Sequence, residues 1–261
     1  MATAGNAASE ANPPEQPSGA LPSADELTFW EKVNLQTRWG RYTTAIEEAE
    51  FLAAVEIIGR PGTSLEIGCD GGRWSGLLAK QGWKVICTDV RPEALTTCKL
   101  RVPSAECILV QGSESSLPCA TESIDLLLCL EVESVVNSEW FLPEAARVLK
   151  PGGILVSTLL NRHSLRASFH RTFNSWDHKG RRMRWYYEIS HHGWRARLRR
   201  AGLQVIREVG FCWPPFGRDS NSPLVPLFVG LEKYLGLRCL VGLSPWILTL
   251  ATRECNAVRN V

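Results

Sequence analysis

Apolar and polar positions change period along the chain, and the changes mark its elements. From Thr43 to Ile58, the residues Ile46, Phe51, Leu52, Val55 and Ile58 recur mostly three or four positions apart, which predicts a helix with one apolar face. After the Pro61-Gly62 turn, short apolar runs alternate with amphipathic stretches. Strands are predicted over 64–67, 84–88, 107–110, 124–130 and 153–159, with helices near 73–81, 92–100 and 138–149. Alternating βα units of this length predict an α/β fold with a parallel sheet covered on both faces. The turn KPGG at 150–153 ends the last of these helices and starts a strand.

Further along, a helix is predicted from about Ser190 to Ala201, with Ser190 as N-cap and Gly202 as the stop. Two strands, 204–210 and 246–252, flank an amphipathic helix from Pro223 to about Leu237. The apolar stripe of that helix (Leu224, Leu227, Phe228, Leu231, Leu235) is expected to pack on the core. Residues 1–24 are rich in Ala, Pro, Ser, Gly and Glu, which predicts a disordered tail, with order beginning near Asp25.

Composition adds little until its distribution is considered. Of 261 residues, 44% are hydrophobic and the formal net charge is +2, so charge alone does not argue for nucleic acid. Nine cysteines are spread through the chain without a C-x-x-C pair, several inside apolar runs. They read as buried, reduced thiols of a cytoplasmic protein, with no metal site expected. No apolar run reaches the length of a membrane span, and the N-terminus has no signal-peptide pattern.

The stretch SLEIGCDGGRWSGLLAKQGWKVICTDV carries the chemistry. A strand ends at Glu66-Ile67, a glycine-rich turn follows, and a helix opens near Arg73. Asp89 closes the next strand, where an acid can hold ribose hydroxyls. A dinucleotide site of G-x-G-x-x-G form fits poorly, because from Gly68 the pattern meets Asp70 and Arg73. Asp70 would also face a pyrophosphate that needs bare amides, so an acidic loop suits a cationic cofactor better.

LEIGCDGG resembles the first motif of class I S-adenosylmethionine-dependent methyltransferases, with Glu66, Gly68 and Gly72 matching and Asp70 replacing the middle glycine. Asp89 matches the acid that binds the adenosine ribose. LVQGSESSLP is similar to the segment beside the adenine, with Ser113 where an acid is usual; SIDLLLCLEV resembles the fourth-strand motif, and RVLKPGGILVST the approach to the fifth strand. The resemblance implies a doubly wound, Rossmann-like, mostly parallel seven-stranded sheet with a C-terminal antiparallel strand. It implies a methyltransferase domain over 25–261, with substrate-side inserts at 160–200 and 212–244. It also implies an S-adenosylmethionine site formed by Glu66, Gly68, Cys69, Asp70, Gly72, Asp89, Val90, Gly112, Ser113, Leu130 and Glu131.

The acceptor side is less determined. The region after the fourth strand, LEVESVVNSEW, lacks the histidine often found there in related small-molecule enzymes. Candidate bases are therefore Glu133, His163, Tyr186, Tyr187, His191 and His192. Trp39 and Tyr42 are candidates to cap the cofactor from the N-terminal side. Residues 161–200 hold eleven Lys and Arg against Asp177 and Glu188, a net +9, interleaved with aromatics. Such a segment suits an anionic or aromatic ligand, an anionic membrane surface, or a solvated helix face. The leading expectation is methyl transfer to oxygen or carbon of a small apolar or anionic metabolite, lipid- or quinone-like. The alternatives are an RNA or protein methyltransferase, for which nucleic acid would be the partner, and a non-catalytic cofactor-binding subunit.

Overall fold

The computed structural model of the protein describes residues 27–168 and 187–254. The expected tail 1–24 and much of the basic insert, Tyr186 included, lie outside the described residues.

Two helices precede the sheet, α1 (Phe29–Gln36) and α2 (Arg38–Ile58). The sheet then builds through β1 (Thr63–Ile67), α3 (Arg73–Lys80), β2 (Lys84–Asp89), α4 (Pro92–Arg101), β3 (Glu106–Leu109), β4 (Ile124–Cys129), α5 (Glu133–Asn137), α6 (Phe141–Val148) and β5 (Leu149–Leu160). It ends with α7 (His191–Arg200), β6 (Leu203–Phe211), α8 (Val225–Tyr234) and β7 (Trp246–Arg253). Strand order is β3-β2-β1-β4-β5-β7-β6, and β7 runs antiparallel to both neighbours. The expected seven-stranded, mostly parallel sheet is therefore present. Its order reverses between β1 and β4, the place where open α/β sheets leave a crevice beyond the strand ends.

The central strands are apolar runs because both faces are covered. Leu126 and Leu128 of β4 face one core with Phe51 and Trp74, while Leu127 and Cys129 face the other with Phe141 and Trp194. KPGG lies within β5, whose pairing with β4 shifts register between Ile124 and Leu126. The strand thus begins earlier than the sequence pattern places it.

Ser190 caps α7, its side chain accepting from the Gly193 amide at 3.1 Å. Ser190→Ala is expected to cost about 1 kcal/mol, read as a lowered midpoint in denaturant at unchanged slope.

α8 corrects the sequence reading. Leu224, Leu227, Leu231 and Leu235 are exposed, and the buried residues of the helix are Val225 and Glu232. The cause is polar. Glu232 Oε2 accepts from the Tyr42 hydroxyl at 2.5 Å, Oε1 accepts from Arg238 Nε at 2.8 Å, and the Tyr42 oxygen accepts from the Cys212 amide. A carboxylate anchored in this way turns its own face inward and the leucine stripe outward.

Candidate cofactor and acceptor site

The loop between β1 and α3 is shaped by backbone that only certain residues tolerate. Gly68 has φ 69°, and a Cβ there would lie 2.7 Å from Val132 Cγ2; Gly72 has φ 78°, with Cys98 Sγ 2.5 Å from where its Cβ would be. Asp70 also sits at positive φ, 47°. The Gly68 and Cys69 amides both donate to the Thr88 carbonyl, which ties the loop to the end of β2.

Glu66 stands beneath this loop. One of its carboxylate oxygens accepts from both the Ser75 amide (2.9 Å) and the Ser75 hydroxyl (2.6 Å), so β1 supplies the cap that Gly72 cannot give α3. Burial pushes its carboxyl up to about 8 despite the opposing Ser75 hydrogen bonds.

Asp89 is buried, and its oxygens are already engaged. Oδ2 accepts from the Asp70 amide at 3.0 Å, while Oδ1 accepts from the Arg91 amide at 3.0 Å and Arg91 Nε at 3.2 Å. Arg91 also pairs with Asp70 at 2.9 Å, and the Thr28 hydroxyl donates to the other Asp70 oxygen. Asp70 is therefore a compensated carboxylate rather than a bare one.

A cavity of about 870 Å³ opens over these residues. Of the residues assigned to the cofactor from the motifs, Glu66, Gly68, Cys69, Asp70, Asp89, Val90, Gly112, Leu130 and Glu131 line it. Gly72 and Ser113 do not; Gly72 is the turn before α3, and Glu114 lines the wall next to Ser113. Among the candidate bases Glu133 lines the cavity. Tyr187 is half-buried against the core, His163 is exposed, and His191 pairs with Glu208 at 3.0 Å on α7, while His192 lies beside it in the first turn of that helix. Trp39 and Tyr42 are buried in the core with Phe216, and the N-terminal wall comes from Trp30, Glu31 and Asn34 of α1.

Sequence reasoning missed three groups of the wall. The first is Glu47 of α2, only 1% exposed, whose Oε1 has no hydrogen-bond partner and whose other oxygen is 3.6 Å from Arg73 Nη2. Burial and then the nearby Glu131 hold its carboxyl well above the ordinary range, against the pull of Arg73. The second is Arg218, which pairs with Glu133 at 3.0 Å and Glu131 at 3.6 Å and lies over the Trp30 and Trp246 rings. Burial opposes its charge, but Glu131, Glu133 and Glu47 hold the guanidinium above its usual value. The third is Arg91. Helix spacing in α2 gave no reason to single out Glu47, and Arg218 comes from a loop far along the chain.

An orphaned buried carboxylate oxygen in a wall of acids fits a ligand with an ammonium and a sulfonium. Residues 65–157 match a family described as a methyltransferase domain. A methyltransferase-like protein of Schizosaccharomyces pombe is 34% identical over 92 residues, 35% of each chain. A ubiquinone biosynthesis O-methyltransferase of Cereibacter sphaeroides is 32% identical over 102 residues, 38% of this chain and 41% of that one. The chain thus spans well under half the length of these curated relatives.

Solved structures of methyltransferases share this fold. Geranyl diphosphate C-methyltransferase of Streptomyces coelicolor superposes with TM-score 0.54 at 14% identity, covering 80% of both chains. A SAM-dependent methyltransferase of Methanosarcina mazei gives 0.53 at 16%, covering 76% of this chain and 94% of that one.

Proposed function

We propose that the protein transfers a methyl group from S-adenosylmethionine to an oxygen or carbon centre of a small, apolar or anionic metabolite of lipid or quinone type. The observation that carries this reading is the composition of the wall beyond Glu131. There Trp30, Leu117, Val135 and Trp140 provide apolar surface around the carboxylates Glu47 and Glu133 and the cation Arg218. When bound, the cofactor supplies a methyl group on a cationic sulfur, poised for in-line displacement.

The chain's residues would then do three things. Glu47, beside Arg73, offers a carboxylate to the cofactor's ammonium end, and the Arg73 guanidinium, held by Thr44 at 2.9 Å, offers a partner to its carboxylate end. Glu133 receives the proton that an acceptor hydroxyl loses as its oxygen bonds to the methyl carbon. Arg218 orients Glu133 and can meet an anionic acceptor group. The related ubiquinone O-methyltransferases and the shared fold of a geranyl diphosphate C-methyltransferase support an isoprenoid or phenolic acceptor.

The outward leucine stripe of α8 supports an acceptor met at a lipid surface, since a contiguous apolar face is unusual on a freely dissolved domain. None of the described helices is long and apolar enough to cross a membrane.

The test is methyl transfer from labelled cofactor to a panel of polyprenyl phenols, catechols, fatty acids and polyprenyl diphosphates, read by mass spectrometry. Turnover on one class is expected, with Glu133→Gln lowering kcat by about 10²-fold or more at little change in cofactor affinity. Methylation of RNA or protein in place of the panel would overturn the acceptor class. Tight S-adenosylhomocysteine binding without any turnover would replace the reading with a non-catalytic subunit.

A further inference from the structure

Four cysteines that are far apart in sequence meet beneath the cofactor loop. Cys69 follows β1, Cys87 lies in β2, Cys98 in α4 and Cys107 in β3. The sulfurs of Cys69, Cys87 and Cys98 all lie within 4.8 Å of one another, and those three residues are buried. Cys87 Sγ is 3.5 Å from Cys98 Sγ and 3.4 Å from the half-buried Cys107 Sγ.

Buried cysteines commonly act as small hydrophobes, but that role asks only for contact with carbon. Here sulfur meets sulfur from four separate elements. Thiolates 2.3 Å from one tetrahedral zinc ion lie roughly 3.8 Å apart; Cys69, Cys87 and Cys98 stand within 4.8 Å of one another, near that spacing, and Cys107 touches the group through Cys87. We propose that Cys69, Cys87 and Cys98 form a three-thiolate site for a soft cation of the zinc type, with Cys107 at its edge, placed under the cofactor loop and apart from the methyl-transfer cavity's acceptor wall.

The surroundings suit the charge. A zinc ion with three thiolates carries an excess of negative charge, and Arg101 acts on Cys98 while Lys99 acts on the neighbouring Cys107. Both cations have fixed positions, Lys99 donating to the Ala105 carbonyl and Arg101 to the Gly71 carbonyl. Two of the three sulfurs belong to β2 and to α4, which covers the sheet, so the site is held by rigid elements, as structural metal sites require. Each thiol gives up its proton to solvent as its sulfur bonds the metal, so affinity rises with pH. No oxidation is involved.

The experiment uses the full chain, reduced and metal-free, titrated anaerobically with cobalt(II) and then with zinc(II). The expected result is one equivalent of cobalt with intense visible bands and thiolate-to-metal charge transfer, bleached by zinc. Cys87→Ser and Cys98→Ser should each weaken binding at least about a hundredfold, while Cys119→Ser, outside the cluster, leaves it unchanged. Because a core variant can fail to fold, circular dichroism accompanies each, and Cys107→Ser at the half-buried edge provides a fourth variant. A folded wild type with no thiolate bands in excess cobalt overturns the proposal, as do bands that survive Cys87→Ser in a folded variant.

Discussion

Asp89→Ala is expected to weaken S-adenosylhomocysteine binding by at least about a hundredfold, because each hydrogen bond from a ribose hydroxyl to a buried carboxylate is worth on the order of 1.5–3 kcal/mol. The structure adds a second half to this expectation. Asp89 accepts from the Asp70 and Arg91 amides and from the Arg91 guanidinium, which leaves no oxygen free for a ribose. The amides are part of the loop, but the guanidinium is 26% exposed and sits on a flexible side chain. A ribose must therefore displace it. Arg91→Ala should tighten binding several-fold, opposite in sign to Asp89→Ala, and Asp89→Asn should fall between wild type and Asp89→Ala. Calorimetric titration of the three variants decides this. Arg91→Ala binding more weakly than wild type would mean that Arg91 contacts the ligand instead of competing with it. Unchanged affinity in Asp89→Ala would remove Asp89 from the site.

The same loop shows what could be read in advance and what could not. The strands were legible because β1, β2, β4 and β5 are buried on both faces, and burial leaves continuous apolar runs such as VIC and LLLCL. Asp89 was legible because its place at the end of β2 follows from chain order alone. α1 carried a signal that went unused: Thr28 and Glu31 form a capping box, and Glu31 then pairs with Arg101 at 2.5 Å. The orientation of α8 was not legible, since leucines at helical spacing ordinarily face a core. Here that preference loses to Glu232, whose partners Tyr42 and Arg238 become neighbours only in the folded chain. The cysteine cluster was hidden for a related reason: its members come from four elements, so no local spacing announces it. Glu47 and Arg218 were missed because a charge on a helix or in a loop is usually solvated, and only the fold buries Glu47 and sets the half-buried Arg218 against Glu131 and Glu133.

Glu66 gives the second large effect, in the pH dependence of stability. Burial delays its ionisation from the ordinary value of 4.5 to about 8 in the folded protein. Below 4.5 both folded and unfolded states hold the proton. Between 4.5 and 8 the unfolded state has released it and the folded state has not, so the unfolded state binds fewer protons and stability falls as pH rises. Above about 8 the loss is complete. The slope approaches about 1.4 kcal/mol per pH unit inside the window, a few kcal/mol in all. Glu66→Gln keeps an oxygen that can accept from Ser75 and removes the titration. The wild type should therefore lose stability relative to Glu66→Gln from pH 5 to 8, read as the difference between their denaturant midpoints, which cancels contributions from Glu47 and Glu50. Parallel curves would show that Glu66 is ionised throughout. The same carboxyl links protons to the cofactor, because a cationic ligand stabilises ionised acids in the wall. Binding at pH 7 should release protons, seen as a buffer-dependent binding enthalpy, and Glu66→Gln should release fewer. If its release equals that of the wild type, the linked proton belongs to Glu47, the buried acid of the cavity whose Oε1 has no hydrogen-bond partner.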